Sequence, residues 1–104
     1  MIDRILEVVS FRLIEGGEDA GFVEAAREVN DVLRAMPGFL NRRLIKTDDR
    51  HWTDIVEWTD LESARHAAEK LHQQPGAQGF CSMIDMGSVA MADHAVLASA
   101  EAVP

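Results

Sequence analysis

Residues 37–62 read PGFLNRRLIKTDDRHWTDIVEWTDLE, and the punctuation of this stretch decides the architecture. Phe39 to Thr47 and Trp52 to Trp58 are rich in branched and aromatic residues and read as strands. Asp48-Asp49-Arg50 between them is a short polar turn, so the two strands form an antiparallel hairpin. Pro37-Gly38 in front closes a helix, since proline cannot continue one and glycine accepts the left-handed turn that ends it. Behind the hairpin, Thr59-Asp60-Leu61-Glu62 has the form of a capping box: Thr59 caps a new helix and Glu62 bonds back to the Thr59 amide.

Working outward, Leu6 to Ile14 reads as a strand in which Val9, Phe11 and Leu13 alternate with Val8, Ser10 and Arg12. Gly16-Gly17 ends it. Ala20 to Met36 reads as a helix with Phe22, Ala26, Val29, Leu33 and Met36 on one stripe. Asp19 is its expected N-cap, and Arg27 with Asp31 an i,i+4 pair. After the hairpin the second helix runs to about Gln74, where Gln73-Gln74-Pro75-Gly76 breaks it. A short helical piece follows around Ala77 to Cys81, then a last strand from Ile84 to Ala92 in which Gly87 marks a bulge. The order β-α-β-β-α-β is the ferredoxin-like pattern of the α+β class: a four-stranded antiparallel sheet with two helices on one face.

Two helices cover only one face of such a sheet. Both faces are nevertheless apolar. Val8 opposes Val9 and Phe11, Leu40 and Leu44 oppose Phe39 and Ile45, and Val56 with Trp58 opposes Ile55. The economical cover for the second face is the sheet of another copy, so a homodimer through the sheet face is expected.

The 104 residues suit one domain, taken as 1–97 with a loose tail over 98–104. A chain this short buries only about two-thirds of its unfolded surface, and a second copy would add to its core. A net charge of −8 excludes nucleic acid and anionic membrane surfaces as partners, because both are held by lysine and arginine. No apolar run approaches the roughly 18 residues of a membrane span. Asp3 stands where a signal peptide carries bases, so a cytoplasmic protein is expected. The single cysteine, Cys81, makes no internal disulfide and suits a reducing compartment.

Several of these stretches together resemble the dimeric α/β-barrel superfamily, and within it the antibiotic biosynthesis monooxygenase-like proteins. They are the first strand ILEVVSFRL (5–13), Met36-Pro37-Gly38-Phe39, and the strand Asp54-Ile55-Val56-Glu57-Trp58 running into a capped helix. The proline break and Phe80 before the last strand complete the likeness, which extends from Leu6 to Leu97. The superfamily includes cofactor-free oxygenases, haem-degrading enzymes and stress-induced proteins, so the resemblance implies a fold more sharply than a reaction. A haem-degrading member implies an asparagine on the first strand and a tryptophan within the second helix, with a histidine following it. Ser10 and Ala67 stand near the first two positions here, which argues against haem.

The candidate residues follow from both readings. Leu61, Ala64, Ala68 and Leu71 are expected on the inner face of the second helix with His72 among them, placing an imidazole that titrates near neutrality against the sheet. The alternative for His72 is a packed histidine hydrogen-bonded at the helix end. Ala64 and Ala68 are small, which either leaves a cavity or permits close packing. Glu57 would be a base if set among apolar groups, as the resemblance implies for this position, or else the partner of Arg42 or Arg43 across the hairpin. Trp52 and Trp58 either stack on a flat substrate or belong to core and interface. His51, His66, His72 and His94 lack the spacing of a metal site, so no metal and no cofactor are expected.

Two functions remain open. One is a cofactor-free monooxygenase-like enzyme with His72 and Glu57 moving protons, Trp58 stacking, Arg43 holding an anionic oxygen, and Ala64 and Ala68 lining the site. The other is a non-catalytic dimeric module that holds a small apolar or aromatic ligand. An apolar cavity with a polar group converging on it favours the first; a core filled by Phe11, Phe22 and Phe80 favours the second.

Overall fold

Alternation sorts the strands into two faces before any helix is placed. In the computed structural model, which describes residues 4–104, β1 (Ile5–Leu13) and β3 (Trp52–Trp58) both show it. Trp52, Asp54, Val56 and Trp58 are buried, while Thr53, Ile55 and Glu57 are half-buried on the other side. The remaining elements are α1 (Asp19–Arg34), β2 (Phe39–Lys46), α2 (Leu61–Lys70), α3 (Gln78–Ser82) and β4 (Ile84–Ala95). Two 3-10 turns, Leu71–Gln73 and Pro75–Ala77, connect α2 to α3. The sheet order is β2-β3-β1-β4, all antiparallel, as the ferredoxin-like reading requires. Among the described residues no helix is long and apolar enough to cross a membrane.

Helix α1 buries Phe22, Ala26, Val29 and Leu33 of the expected stripe against the inner sheet face, whereas Met36, expected with them, lies half-buried beyond the helix end at Arg34. Phe22 stacks on Phe80 with centroids 4.9 Å apart and meets Phe11 and Trp52 edge-on. Three local expectations need correction. Asp19 is the first helical residue rather than the cap, and its carboxylate instead accepts from Lys46 Nζ at 2.6 Å. Arg27 pairs with Glu24 at 2.7 Å, one turn back, and not with Asp31, which takes Arg34. The cap of α2 is Asp60, one residue beyond Thr59, and it accepts from the Ser63 amide at 2.8 Å. Thr59 is held outside the helix because its amide donates to the Gly38 carbonyl.

Two bulges interrupt the period-two pattern. In β2 the register slips between Phe39 and Asn41, so Phe39 and Leu44 pair with inner-face residues of β3 despite their opposite parity. In β4 it slips opposite Ser10 to Arg12, at the stretch containing Gly87. Ile84 and Met86 line the inner side before this bulge, Val89 and Met91 after it. The irregularity falls at the bulge expected at Gly87, and it is why Met86 and Met91, five residues apart, line the same side: residues inserted into one strand shift the facing of the side chains that follow.

The inner face also carries a buried ion pair. Arg42 donates from Nε and Nη2 to the two oxygens of Asp54 at 2.9 and 2.7 Å, and from Nη1 to the Ala26 carbonyl and to Asn30. The guanidinium thus ties β2, β3 and α1 together, and removing either partner would strand a desolvated charge.

Candidate functional site

On the inner face, β1 presents Glu7, Val9 and Phe11 and β3 presents Asp54, Val56 and Trp58. Their registers, Glu7 against Val56 and Val9 against Asp54, bring the two sets side by side. Ala67, Ala68 and Leu71 of the α2 region lie above them, and Phe80 and Cys81 come from α3. Because two of the α2 residues are alanines, the helix does not fill the space beneath it. An apolar cavity of about 170 Å³ remains between sheet and helices. It opens at the β4 edge, where Met86 and Met91 are 68% and 55% exposed.

Glu7 and Asp54 are the charged residues in its lining, and they differ in their partners. Asp54 is paired with Arg42. Glu7, only 8% exposed, receives a single long contact among the described residues, from the Trp58 indole N–H at 3.4 Å. Burial pushes the Glu7 carboxyl up to about 7; the Trp58 bond opposes this, and the charges of Asp93 and Asp54 add to it. Asp93 is the residue paired with Glu7 across β4. A carboxyl poised near neutrality inside an apolar cavity has the character of a general base or acid.

The sequence-derived candidates divide around this cavity. Trp58 and Ala68 line it. Ala64 is buried in the same helix face, one turn before Ala67. His72 is exposed, contrary to the expected register. The inner stripe of this segment is Ala64, Ala67 and Leu71, so at about 100° per residue His72 lies roughly 100° beyond Leu71. The helix has by then given way to a 3-10 turn. Glu57 and Arg43 lie on the outer sheet face, Arg43 being paired with Ile55 in register. Glu57 sits 2.9 Å from Arg4 and accepts from Asn41 at 3.4 Å, so its partner is neither Arg42 nor Arg43. Trp52 is core, packed on Phe22. Glu7 escaped the sequence reading, although its parity with Val9 and Phe11 was the available signal.

A larger cleft of about 530 Å³ lies near Arg12, Glu15, Asp49, Arg50 and Asp85. Its walls are charged and largely exposed, and Arg12 is already paired with Asp85 at 3.2 Å, so it encloses nothing. Among the described residues no cluster of histidine, cysteine and carboxylate side chains could hold a metal ion.

The sequence pattern of the family described as "Antibiotic biosynthesis monooxygenase" matches residues 4–78. No curated protein matches the chain. Solved structures do. SnoaB, a cofactor-independent oxygenase from Streptomyces nogalater, is similar with a TM-score of 0.71 at 19% identity, covering 98% of both chains. A haem-degrading protein from Mycobacterium tuberculosis is similar at 0.67 and 13% identity, covering 98% of this chain and 100% of its own. A Nitrosomonas europaea protein of unknown function is similar at 0.71 and 11% identity, covering 99% and 98%. At these identities the likeness concerns the fold.

Proposed function

The chain belongs to the antibiotic biosynthesis monooxygenase family, and from that premise we propose that it is a cofactor-independent oxygenase of a small aromatic molecule, with Glu7 as its base. The observation that carries this reading is the unpaired Glu7 carboxyl inside the apolar cavity, poised at about 7. A substrate with an acidified ring C–H, seated against the Trp58 indole, gives that proton to Glu7. The resulting carbanion passes one electron to oxygen, and the radical pair joins as a carbon-bound peroxide. Protonation from Glu7, then loss of the second C–H proton with cleavage of the O–O bond, gives a carbonyl and water, so that CH₂ and O₂ become C=O and H₂O. Trp58 walls the ring and orients the carboxyl, while Ala67 and Ala68 leave room for it. His72, Glu57 and Arg43 do not border this cavity and take no part in the scheme.

Two further elements of the reading concern setting. A homodimer through the outer sheet face is supported by half-buried Leu6, Val8 and Ile55 together with exposed Ile45 on that face. A cytoplasmic location is supported by the lone thiol of Cys81.

Oxygen uptake over a panel of anthrones and naphthols tests the enzymatic reading. Turnover should rise with pH to a plateau, with its midpoint near the Glu7 value of about 7. Glu7→Gln should lower it by roughly 10²- to 10⁴-fold, the usual worth of a positioned base. No uptake with any member, with tight binding retained, would favour the second reading: a non-catalytic dimeric ligand-binding or stress-response module. The packed Phe11, Phe22 and Phe80 core, which leaves only a modest cavity, is the observation on that side.

A further inference from the structure

The electrostatics of the cavity are lopsided. Glu7 and Asp54 belong to its lining, and Asp93 adds to the charge acting on Glu7 from the neighbouring strand. Among the described residues no lysine or arginine lines it. Arg42, the partner of the lining residue Asp54, has its Nε, Nη1 and Nη2 all engaged by Asp54, Ala26 and Asn30, with the guanidinium carbon 5.1 Å over the Phe80 ring. Arg42 can turn to a ligand only by stranding Asp54. An entering anion would therefore meet acceptors without a donor, in a medium that screens poorly.

Size narrows the class further. An apolar cavity of about 150 Å³ holds a benzene-sized guest, and common ligand pockets run from about 300 Å³ upward. At about 170 Å³ this cavity takes one ring, and a second only by displacing Met86 and Met91 at its mouth. Methionine side chains are suited to such yielding.

Resting on the reading of Glu7 as the functional carboxyl, we propose that the cavity selects a neutral or cationic compound of one or two rings that donates an O–H or N–H to Glu7, and rejects carboxylated rings of the same size. The donor supplies what Glu7 lacks, since among the described residues its side chain is met only by the long contact from Trp58. A carboxylated ring brings a second negative charge to the same place. Selection thus comes from repulsion as much as from fit.

Calorimetric titration of the full chain with 2-naphthol and 2-naphthoate, at pH 8, tests this. The two probes match in ring size and differ in the group presented. 2-Naphthol should bind at least about tenfold more tightly, a difference of about 1.4 kcal/mol. Glu7→Gln should shrink the gap to within about threefold, while Asp93→Asn, at an exposed edge position where folding is not at issue, should narrow it partly. A three-ring anthrone should bind more weakly than 2-naphthol. Equal binding of the two probes, no binding of either, a gap undiminished in both variants, or tighter binding of the three-ring compound would each overturn the proposal. The selectivity and the oxygenase reading fail separately: a naphthol preference without oxygen uptake supports the selectivity alone, and oxygen uptake without the preference defeats it while leaving the base in place.

Discussion

Glu7 is the residue on which the proposed chemistry turns, and it was legible only in part. Its parity with Val9 and Phe11 places it on the inner face of β1, but sequence cannot say whether an inward carboxylate meets a cation. Asp54 has the same exposure, 8%, and does meet one, in Arg42. The difference arises from β2, whose register with β3 sets Arg42 within reach of Asp54, while among the described residues no lysine or arginine is paired with Glu7. That isolation has a thermodynamic consequence. The carboxyl holds its proton to about 7 in the folded chain, against 4.5 for an ordinary glutamate. Between those values the folded state binds the proton and the unfolded state does not, so stability falls as pH rises from 4.5 to 7 and is level above. Glu7→Gln removes the titration. The variant should exceed the wild type by up to roughly 3 kcal/mol above pH 7, with the advantage vanishing below pH 4.5. Guanidinium denaturation at pH 4.5 and pH 8 reads this directly; an advantage that did not change with pH would mean that Glu7 titrates normally.

Element boundaries were legible wherever a residue type forces the backbone. Pro37-Gly38 ends the first helical segment, and Gly38 has the left-handed φ of +81° that its position in the turn predicts. Registers were less legible, because they depend on events that leave no compositional mark. The slip in β2 falls on Leu40, an unremarkable residue, and the rotation of α2 onto Ala64, Ala67 and Leu71 competes with a neighbouring stripe of similar apolarity. His72 was misplaced for that reason. Gly38 offers a test of how tightly these elements are joined. A Cβ there would collide with the Ser63 side chain and lie 2.7 Å from Thr59 Oγ1, both at the entry to α2. Gly16 shares the φ of +81° but has nothing within 4 Å. Gly16→Ala should therefore cost only the backbone term of about 1–2 kcal/mol, whereas Gly38→Ala adds a collision and should cost about 2–4 kcal/mol. Denaturant midpoints of the two variants measure the difference, and equal losses would show that the junction between Gly38 and α2 yields freely.

At the scale of the whole molecule the fold was legible because its argument is one of coverage: two helices of this size mask one side of four strands. The same argument reaches beyond the single chain. Leu6 and Val8 of β1 and Ile55 of β3 lie together on the side without helices, and Ile45 beside them is 44% exposed. A sheet face of this kind is stable in water when another apolar surface lies on it, and a second copy related by a two-fold axis brings an identical one. Choosing the residue that tests this requires the observed faces. Val56, which alternation alone offers as a sheet residue, is 4% exposed and points at the helices, so a charge there attacks the core. Val8 is its counterpart on the open face. Val56→Asp should prevent folding at any concentration, since an unpaired buried charge costs several kcal/mol against a total stability of similar size. Val8→Asp should leave the circular dichroism spectrum native and shift the light-scattering mass from dimer to monomer at micromolar concentration. The cavity lies on the inner face of the sheet and Val8 on the outer one, so binding of 2-naphthol by that monomer should persist. A monomeric wild type under the same conditions would leave the outer face without the partner assigned to it, and a Val8→Asp chain that stayed dimeric would move the interface elsewhere.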